Sequence, residues 1–388
     1  MRQYIKRYAK HFDYPLFFTY IALSLFGLVM IYSASMAWAV NVYGWEANHF
    51  YKQQLVNLSL AFPIFAISAL FPYKHFSRKG MMKLILAVIF IGLVLVHIIG
   101  YAGGGAKSWI DLGFASIQPS EVAKVGIILY LAGVFANKNK KGMINNFNES
   151  IAPPVVVLTL VLFLVFLEPD LGSMLIIGAV GLCVMLASGI RFKLYLKLAS
   201  IVVAGAALFI LPMIIFAQDQ IFTEKRLGRL DAFFNPFQDE LGFGMQIVNG
   251  YLAIGSGGLS GLGLGQSIQK LGYLPEPHTD FIMSVIAEEL GVFGVAFVLV
   301  GLAFIVLRGL SIAMTTKDPL ARMLAAGVAS MIGIQTFVNL GGLTGLIPLT
   351  GVTLPFISYG GTSIILLSLA MGVLMNVSMF HKAEKLKK

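Results

Sequence analysis

The chain has 388 residues, 58% of them hydrophobic and only 12% charged, with a mean hydropathy of +0.84. A soluble globular protein carries roughly a quarter charged residues, so the composition excludes an ordinary water-soluble enzyme and makes lipid the solvent of the fold. One cysteine, Cys183, excludes an intrachain disulfide framework and any multi-cysteine metal site, and the formal net charge of +10 must be located before it bears on nucleic acid.

Apolar runs fall near 15–35, 53–71, 82–100, 119–136, 151–167, 170–188, 193–217, 281–307, 322–346 and 357–379. Each approaches or exceeds the ~20 residues that a helix needs to cross ~30 Å of hydrocarbon. A spanning strand would need only ~9–11 residues and would alternate polar with apolar. The expectation is an all-α polytopic membrane protein with about ten transmembrane helices, forming a single membrane domain over residues 1–388.

Placing the N-terminus in the cytoplasm puts 21 of the 28 Lys and Arg in cytoplasmic segments, so both termini are expected inside. The same asymmetry accounts for the basic balance without nucleic acid. Ser33, Ala34, Ser35 and Ala37 resemble a signal-peptidase site, but the apolar run before them is long and nine more follow, so an uncleaved first helix is expected. Residues of about 218–280, between the seventh and eighth spans, form one large extracytoplasmic loop. Its apolar, glycine-rich stretch Tyr251 to Gly265 reads as a folded or re-entrant lid.

Only Asp13, Glu149, Asp318 and Glu384 of the 18 acidic residues lie in cytoplasmic segments. The others sit outside or within spans, where an ionisable group costs about 2.5–3.5 kcal/mol and is a functional candidate. In chain order, Trp109 lies just before the fourth span, where it suits either an interfacial belt or a site. The fourth span opens Gln118-Pro119-Ser120-Glu121, and Glu121 and Lys124 share a helix face at spacing three. They fit a structural ion pair, or a lysine that meets an anionic group such as a phosphate. Glu168 and Asp170 flank Pro169 in a tight turn; capping explains Asp170 alone, while a carboxylate cluster explains both.

Arg226 and Arg229 supply guanidinium groups suited to a diphosphate, or are simply solvated. Gly255 to Gly265 is no nucleotide loop, because no Lys-Ser or Lys-Thr follows, and the six histidines lack zinc-site spacing. The string Leu274-Pro275-Glu276-Pro277-His278-Thr279-Asp280 leads into the eighth span. On a helix Asp280, Ser284 and Glu288 would line one face, whereas a cap would account for only one of them.

Over nearly its whole length the chain resembles the SEDS family, named for shape, elongation, division and sporulation. The resemblance rests on Trp109-Ile110-Asp111-Leu112-Gly113, Gln118 to Lys124, Glu168 to Ser173, Ala253 to Gly265, Leu274 to Gly291 and Leu354 to Gly361. Gln269-Lys270-Leu271-Gly272-Tyr273 looks more like the division branch than the elongation branch. The chain departs at Ser108, where some members carry arginine, at Met283 and at Thr353.

The resemblance implies a peptidoglycan glycosyltransferase that polymerises lipid II on the outer face of the bacterial cytoplasmic membrane. It places the essential aspartate at Asp280, with Trp109 and the membrane-embedded Lys124 as the other family positions; glycosyl transfer needs a base for the attacking hydroxyl, and Asp280 is the expected general base. Substrate contacts are expected at Trp109, Lys124, Glu121, Asp170, Arg226, Arg229, His278 and Glu288. Cationic side chains, or a divalent cation (Mg2+ or Mn2+) held by carboxylates such as Asp170, would stabilise the leaving diphosphate. Expected partners are the growing glycan strand, membrane lipids, a class B penicillin-binding protein and other divisome or elongasome proteins. The rival functions are a lipid II flippase and a non-catalytic divisome scaffold.

Overall fold

A computed structural model describes residues 10–103, 106–111, 113, 116–168, 170–200, 228, 231–238, 242 and 244–385. Helices dominate: α1 (Tyr14–Tyr43), α2 (His49–Leu70), α3 (Lys79–Ile99), α4 (Pro119–Lys140), α5 (Ala152–Leu167), α6 (Leu171–Ala187), α7 (Met245–Gly257), α8 (Ile282–Thr315), α9 (Pro319–Leu343) and α10 (Gly361–Lys385). Eight helical stretches among the described residues are long and apolar enough to cross a membrane, and α6 is a shorter apolar helix. The expected span at 193–217 lies largely outside the described residues.

Burial separates the inner helices from the lipid-facing ones. In its most apolar window α4 is 89% buried and α10 is 83% buried, against 17% for α3. The inner helices can therefore carry polar side chains that hydrocarbon would not tolerate. Gly126, Gly133 and Gly327 let neighbours approach α4 and α9 closely; a Cβ on Gly133 would lie 2.7 Å from Phe76 O.

Two features depart from a plain helical bundle. The all-α expectation misses a small antiparallel sheet between α3 and α4, ordered β1 (Tyr101–Gly103), β2 (Ala106–Asp111) and β3 (Ser116–Ile117). It forms where the apolar run ends at Gly100, so that chain outside the span must satisfy its own backbone groups. The non-helical segment 346–360 also turns back into the bundle. There Phe356 packs edge-on against Tyr20 at 5.4 Å, and a Cβ on Gly27 would lie 2.6 Å from Phe356 O. Irregular backbone at this position survives because protein covers it.

The described part of the long loop is folded. Its helix α7 lies on α8, and the chain that follows threads a break in α8 at Gly291, where φ is 62° and ψ is −154°. Leu262 N and Gly263 N donate to the carbonyls of Glu288 and Glu289 at 2.9 Å, and Val292 N donates to Leu259 O at 3.1 Å. A Cβ on Gly291 would overlap the Leu259 carbonyl oxygen, so glycine is required by space as well as by φ.

At the far end of α8 from Asp280, buried Asp13 accepts hydrogen bonds from Arg308 at 2.9 and 3.1 Å and from Ser378 at 2.7 Å, and pairs with Lys382 at 3.1 Å. Burial alone would raise this carboxyl, but those partners hold it below the ordinary carboxylate value.

Candidate active site

Asp280 occupies a turn immediately before α8 and is half-buried. Three successive backbone carbonyls of this turn are each held by a different donor. Tyr359 N donates to His278 O at 2.9 Å, Ser358 Oγ to Thr279 O at 2.5 Å, and Asn339 Nδ2 to Asp280 O at 2.8 Å. Ser358 Oγ is itself fixed by accepting Leu354 N at 2.8 Å. Thr279 Oγ1 donates to the Asp280 carboxylate at 3.1 Å. The backbone that presents the carboxyl is thus set before any substrate arrives.

The expected shared face of Asp280, Ser284 and Glu288 does not form, because Asp280 lies outside the helix. Glu288 is not brought to Asp280. Its buried carboxylate accepts Ser267 Oγ at 2.5 Å and Ile268 N at 2.9 Å, which fastens the threaded loop. Neighbouring Glu289 accepts Lys270 Nζ at 2.6 Å and Ser33 Oγ at 2.7 Å, and Lys270 Nζ also donates to Ser33 Oγ at 3.0 Å. Lys270 and Glu289 are both 0% exposed, so this charge pair is wholly internal. It binds the loop, α8 and α1 into one unit.

His278 is packed among rings rather than facing outward. Its centroid lies 4.1 Å from that of Phe50 and 5.5 Å from that of Tyr359, and burial pushes its pKa down to about 3. It is therefore neutral at physiological pH and is no cation for a diphosphate.

Lys124, on α4, donates to Glu121 at 2.6 Å and to Gln335 Oε1 at 3.5 Å. Gln335 Nε2 continues to Thr353 O at 3.0 Å. Asn339, one turn along α9 from Gln335, bridges Val352 O and Asp280 O, both at 2.8 Å. A polar strip on α9 thereby joins Lys124 to the Asp280 turn across residues 352–353.

Asp170 reaches the same hub from the other side. It caps α6 by accepting Ser173 N at 2.9 Å, and it accepts Gln118 Nε2 at 3.0 Å and Ser120 Oγ at 3.1 Å from the start of α4. A Cβ on Gly172, at the start of α6, would lie 2.6 Å from Val352 Cγ2. Trp109, half-buried on β2, pairs with Tyr101 across the sheet, and its neighbour Ser108 donates to Glu168 O at 3.1 Å. The Glu168 carboxyl is 1% exposed, has no hydrogen-bond partner among the described residues, and is pushed up to about 8 by burial and by Asp170.

Lys124, Glu121, Asp170 and Asp280 are therefore gathered around one segment, with Trp109 on the sheet beside the α5–α6 turn. Arg226 and Arg229 lie outside the described residues. Among the described residues no three His, Cys, Asp or Glu side chains group as cation ligands. Asp170 is ringed by three N–H and O–H donors, an environment that does not fit a divalent cation at this carboxylate. The sequence reading found no place for Gln335 and Asn339, and it assigned no structural role to Lys270, Glu289 or Ser358, which lie in the strings that carry the family resemblance. Gln335 and Asn339 had a visible signal, two amides at spacing four in an apolar span.

The family profile for the FtsW/RodA/SpoVE cell cycle proteins matches residues 14–383. The probable peptidoglycan glycosyltransferase FtsW of Bacillus subtilis is 48% identical over 386 residues, 99% of this chain and 94% of that protein. The stage V sporulation protein E of the same organism is 36% identical, over 93% of this chain and 95% of that protein. One chain from a structural study of how a peptidoglycan synthase complex coordinates polymerization and crosslinking superposes with a TM-score of 0.71 at 25% identity, covering 95% of this chain and 98% of that one. The rod shape determining protein RodA of Thermus thermophilus superposes with a TM-score of 0.63 at 25% identity, covering 95% and 96%. With a profile spanning almost every described residue and a full-length relative at nearly half identity, this multi-pass membrane protein belongs to the FtsW/RodA/SpoVE family.

Proposed function

We propose that the chain is a peptidoglycan glycosyltransferase that polymerises lipid II at the outer face of the bacterial cytoplasmic membrane, as a single membrane domain with ten spans and both termini inside. The names of its relatives support the reaction class. The observation that carries the site is the Asp280 turn, whose three consecutive carbonyls are each anchored and whose anchor Asn339 lies one helical turn from the Lys124 partner Gln335.

In the reaction a sugar hydroxyl of one saccharide attacks the anomeric carbon of another. The hydroxyl proton passes to the Asp280 carboxylate, the new glycosidic C–O bond forms, and the bond to the lipid diphosphate breaks with its electron pair on the phosphate oxygen. A preset carboxylate avoids reorganisation at the moment of proton transfer. Of the three Lys124 donors, Glu121 and Gln335 take two, and the third serves a diphosphate oxygen. Arg226 and Arg229 add guanidinium groups to the same anion. A class B penicillin-binding protein is the proposed partner, supported by the resemblance to a chain from a peptidoglycan synthase complex.

The test is Asp280→Asn in purified protein with labelled lipid II, alone and with that partner. The variant should insert normally and lose about 10²-fold or more of polymer formation. Undiminished polymer would remove Asp280 as the base. Polymer from the unaltered chain separates the enzyme from the flippase and scaffold alternatives.

A further inference from the structure

A file of rings runs from the exposed surface to within two residues of Asp280. Tyr43 and Trp45, where α1 meets α2, stack with centroids 4.4 Å apart and planes at 13°, and expose 45% and 43% of their surfaces. Trp45 lies 4.2 Å from His49 and 5.9 Å from Phe50, and Phe50 lies 4.1 Å from His278. Large apolar rings left in the open are costly unless something covers them.

Two buried polar atoms lie along this file without a hydrogen-bond partner among the described residues. They are Oδ1 of Asn48, next in sequence to His49, and Nδ1 of His278, which is 3% exposed. Buried polar groups in native proteins almost always have partners, so such orphans mark places where a ligand group completes the set. Aromatic walls with a few unsatisfied polar atoms are the makeup of a small-molecule site. An interfacial anchor would need neither the continuous ring contact nor the orphans.

We propose that the Tyr43–Trp45 stack is a saccharide-binding platform that holds the growing glycan strand as it leaves Asp280; this rests on the glycosyltransferase reading. A pyranose presents apolar C–H faces to aromatic rings and hydroxyl edges to polar atoms, and the repeating strand offers such a ring at every sugar. Because Tyr43 and Trp45 are already stacked on each other and Trp45 also packs against His49, little side-chain freedom is lost when a sugar docks.

The experiment uses the full chain in nanodiscs, with its transpeptidase partner for polymerisation, as wild type, Tyr43→Ala, Trp45→Ala and Trp45→Phe. Equilibrium binding of a labelled, peptide-free glycan fragment is measured beside the length of strands made from lipid II. Each alanine variant should weaken fragment binding by about five-fold or more, the worth of one aromatic contact. Strands should shorten in the same variants, and Trp45→Phe should restore both readings. If the alanine variants bind the fragment as tightly as wild type, the platform is overturned and the rings are lipid-interface anchors, even where polymer is made normally. If wild type binds the fragment through Trp45 yet makes no polymer, the glycosyltransferase reading fails and the saccharide platform stands.

Discussion

The Lys270–Glu289 pair offers a quantitative test of how the threaded loop is held. Lys270→Met preserves length and apolar bulk but removes the ammonium 2.6 Å from Glu289 and 3.0 Å from Ser33. The Glu289 carboxylate, 0% exposed, is then left with Ser33 Oγ at 2.7 Å and Ser267 N at 3.4 Å as its donors. Stranding one charge of a buried pair costs about 3–5 kcal/mol, whereas replacing both members with neutral groups of similar volume is close to neutral. The expected order is therefore a large loss in Lys270→Met and a loss within about 1 kcal/mol in Lys270→Met/Glu289→Gln. A double-mutant cycle of reversible unfolding in detergent, with Glu289→Gln as the fourth corner, reads the coupling directly. If Lys270→Met unfolds within about 1 kcal/mol of wild type, or the two single losses simply add, the pair is not an internal clamp.

Gly291→Ala forces a side chain into a glycine-only backbone region and onto the Leu259 carbonyl, so it should cost about 1–3 kcal/mol from strain alone, read as a lowered unfolding temperature. Glu168 links stability to pH. Its carboxyl is raised from the ordinary 4.5 to about 8, so between these values the folded chain keeps a proton that the unfolded chain has lost. Stability from this group is complete below about pH 4.5 and declines as pH rises through about 8, and Glu168→Gln should flatten that decline in unfolding measured across the window.

The helical architecture was legible because hydrocarbon imposes a length on every span, and the runs near 15–35, 119–136 and 322–346 each became a helix. The capping role of Asp170 and the pairing of Glu121 with Lys124 were also legible, since both follow from spacing within a turn or two. What escaped is long-range. Glu288 looks like a site residue on a helical wheel, but its partner Ser267 sits in a loop whose path no local pattern encodes. Ser33 resembled part of a cleavage signal, yet it closes an ion pair with residues more than two hundred positions away. Asp280 was singled out but placed on a helix, and the three donors that shape its turn come from α9 and from residues 358–359. The small sheet of β1, β2 and β3 was hidden because a hydropathy scan registers the end of a span and not what the chain does next.

Helix α10 completes the wall around α2. Asn376 on α10 accepts a hydrogen bond from Tyr73 N, just beyond α2, and donates one to Ala69 O at the end of α2, and Ser368 reaches Tyr20 on α1. A Cβ on Gly361 would rest 3.3 Å from the Asn57 amide, and one on Gly372 would collide with Ser68. During synthesis α2 emerges long before α10, so Asn57 and Ser68 must wait in a nascent bundle without their final neighbour. Until α10 docks, this face of α2 and the Ala69 carbonyl lack the cover and the donor that α10 supplies, which makes its arrival the event that seals this wall.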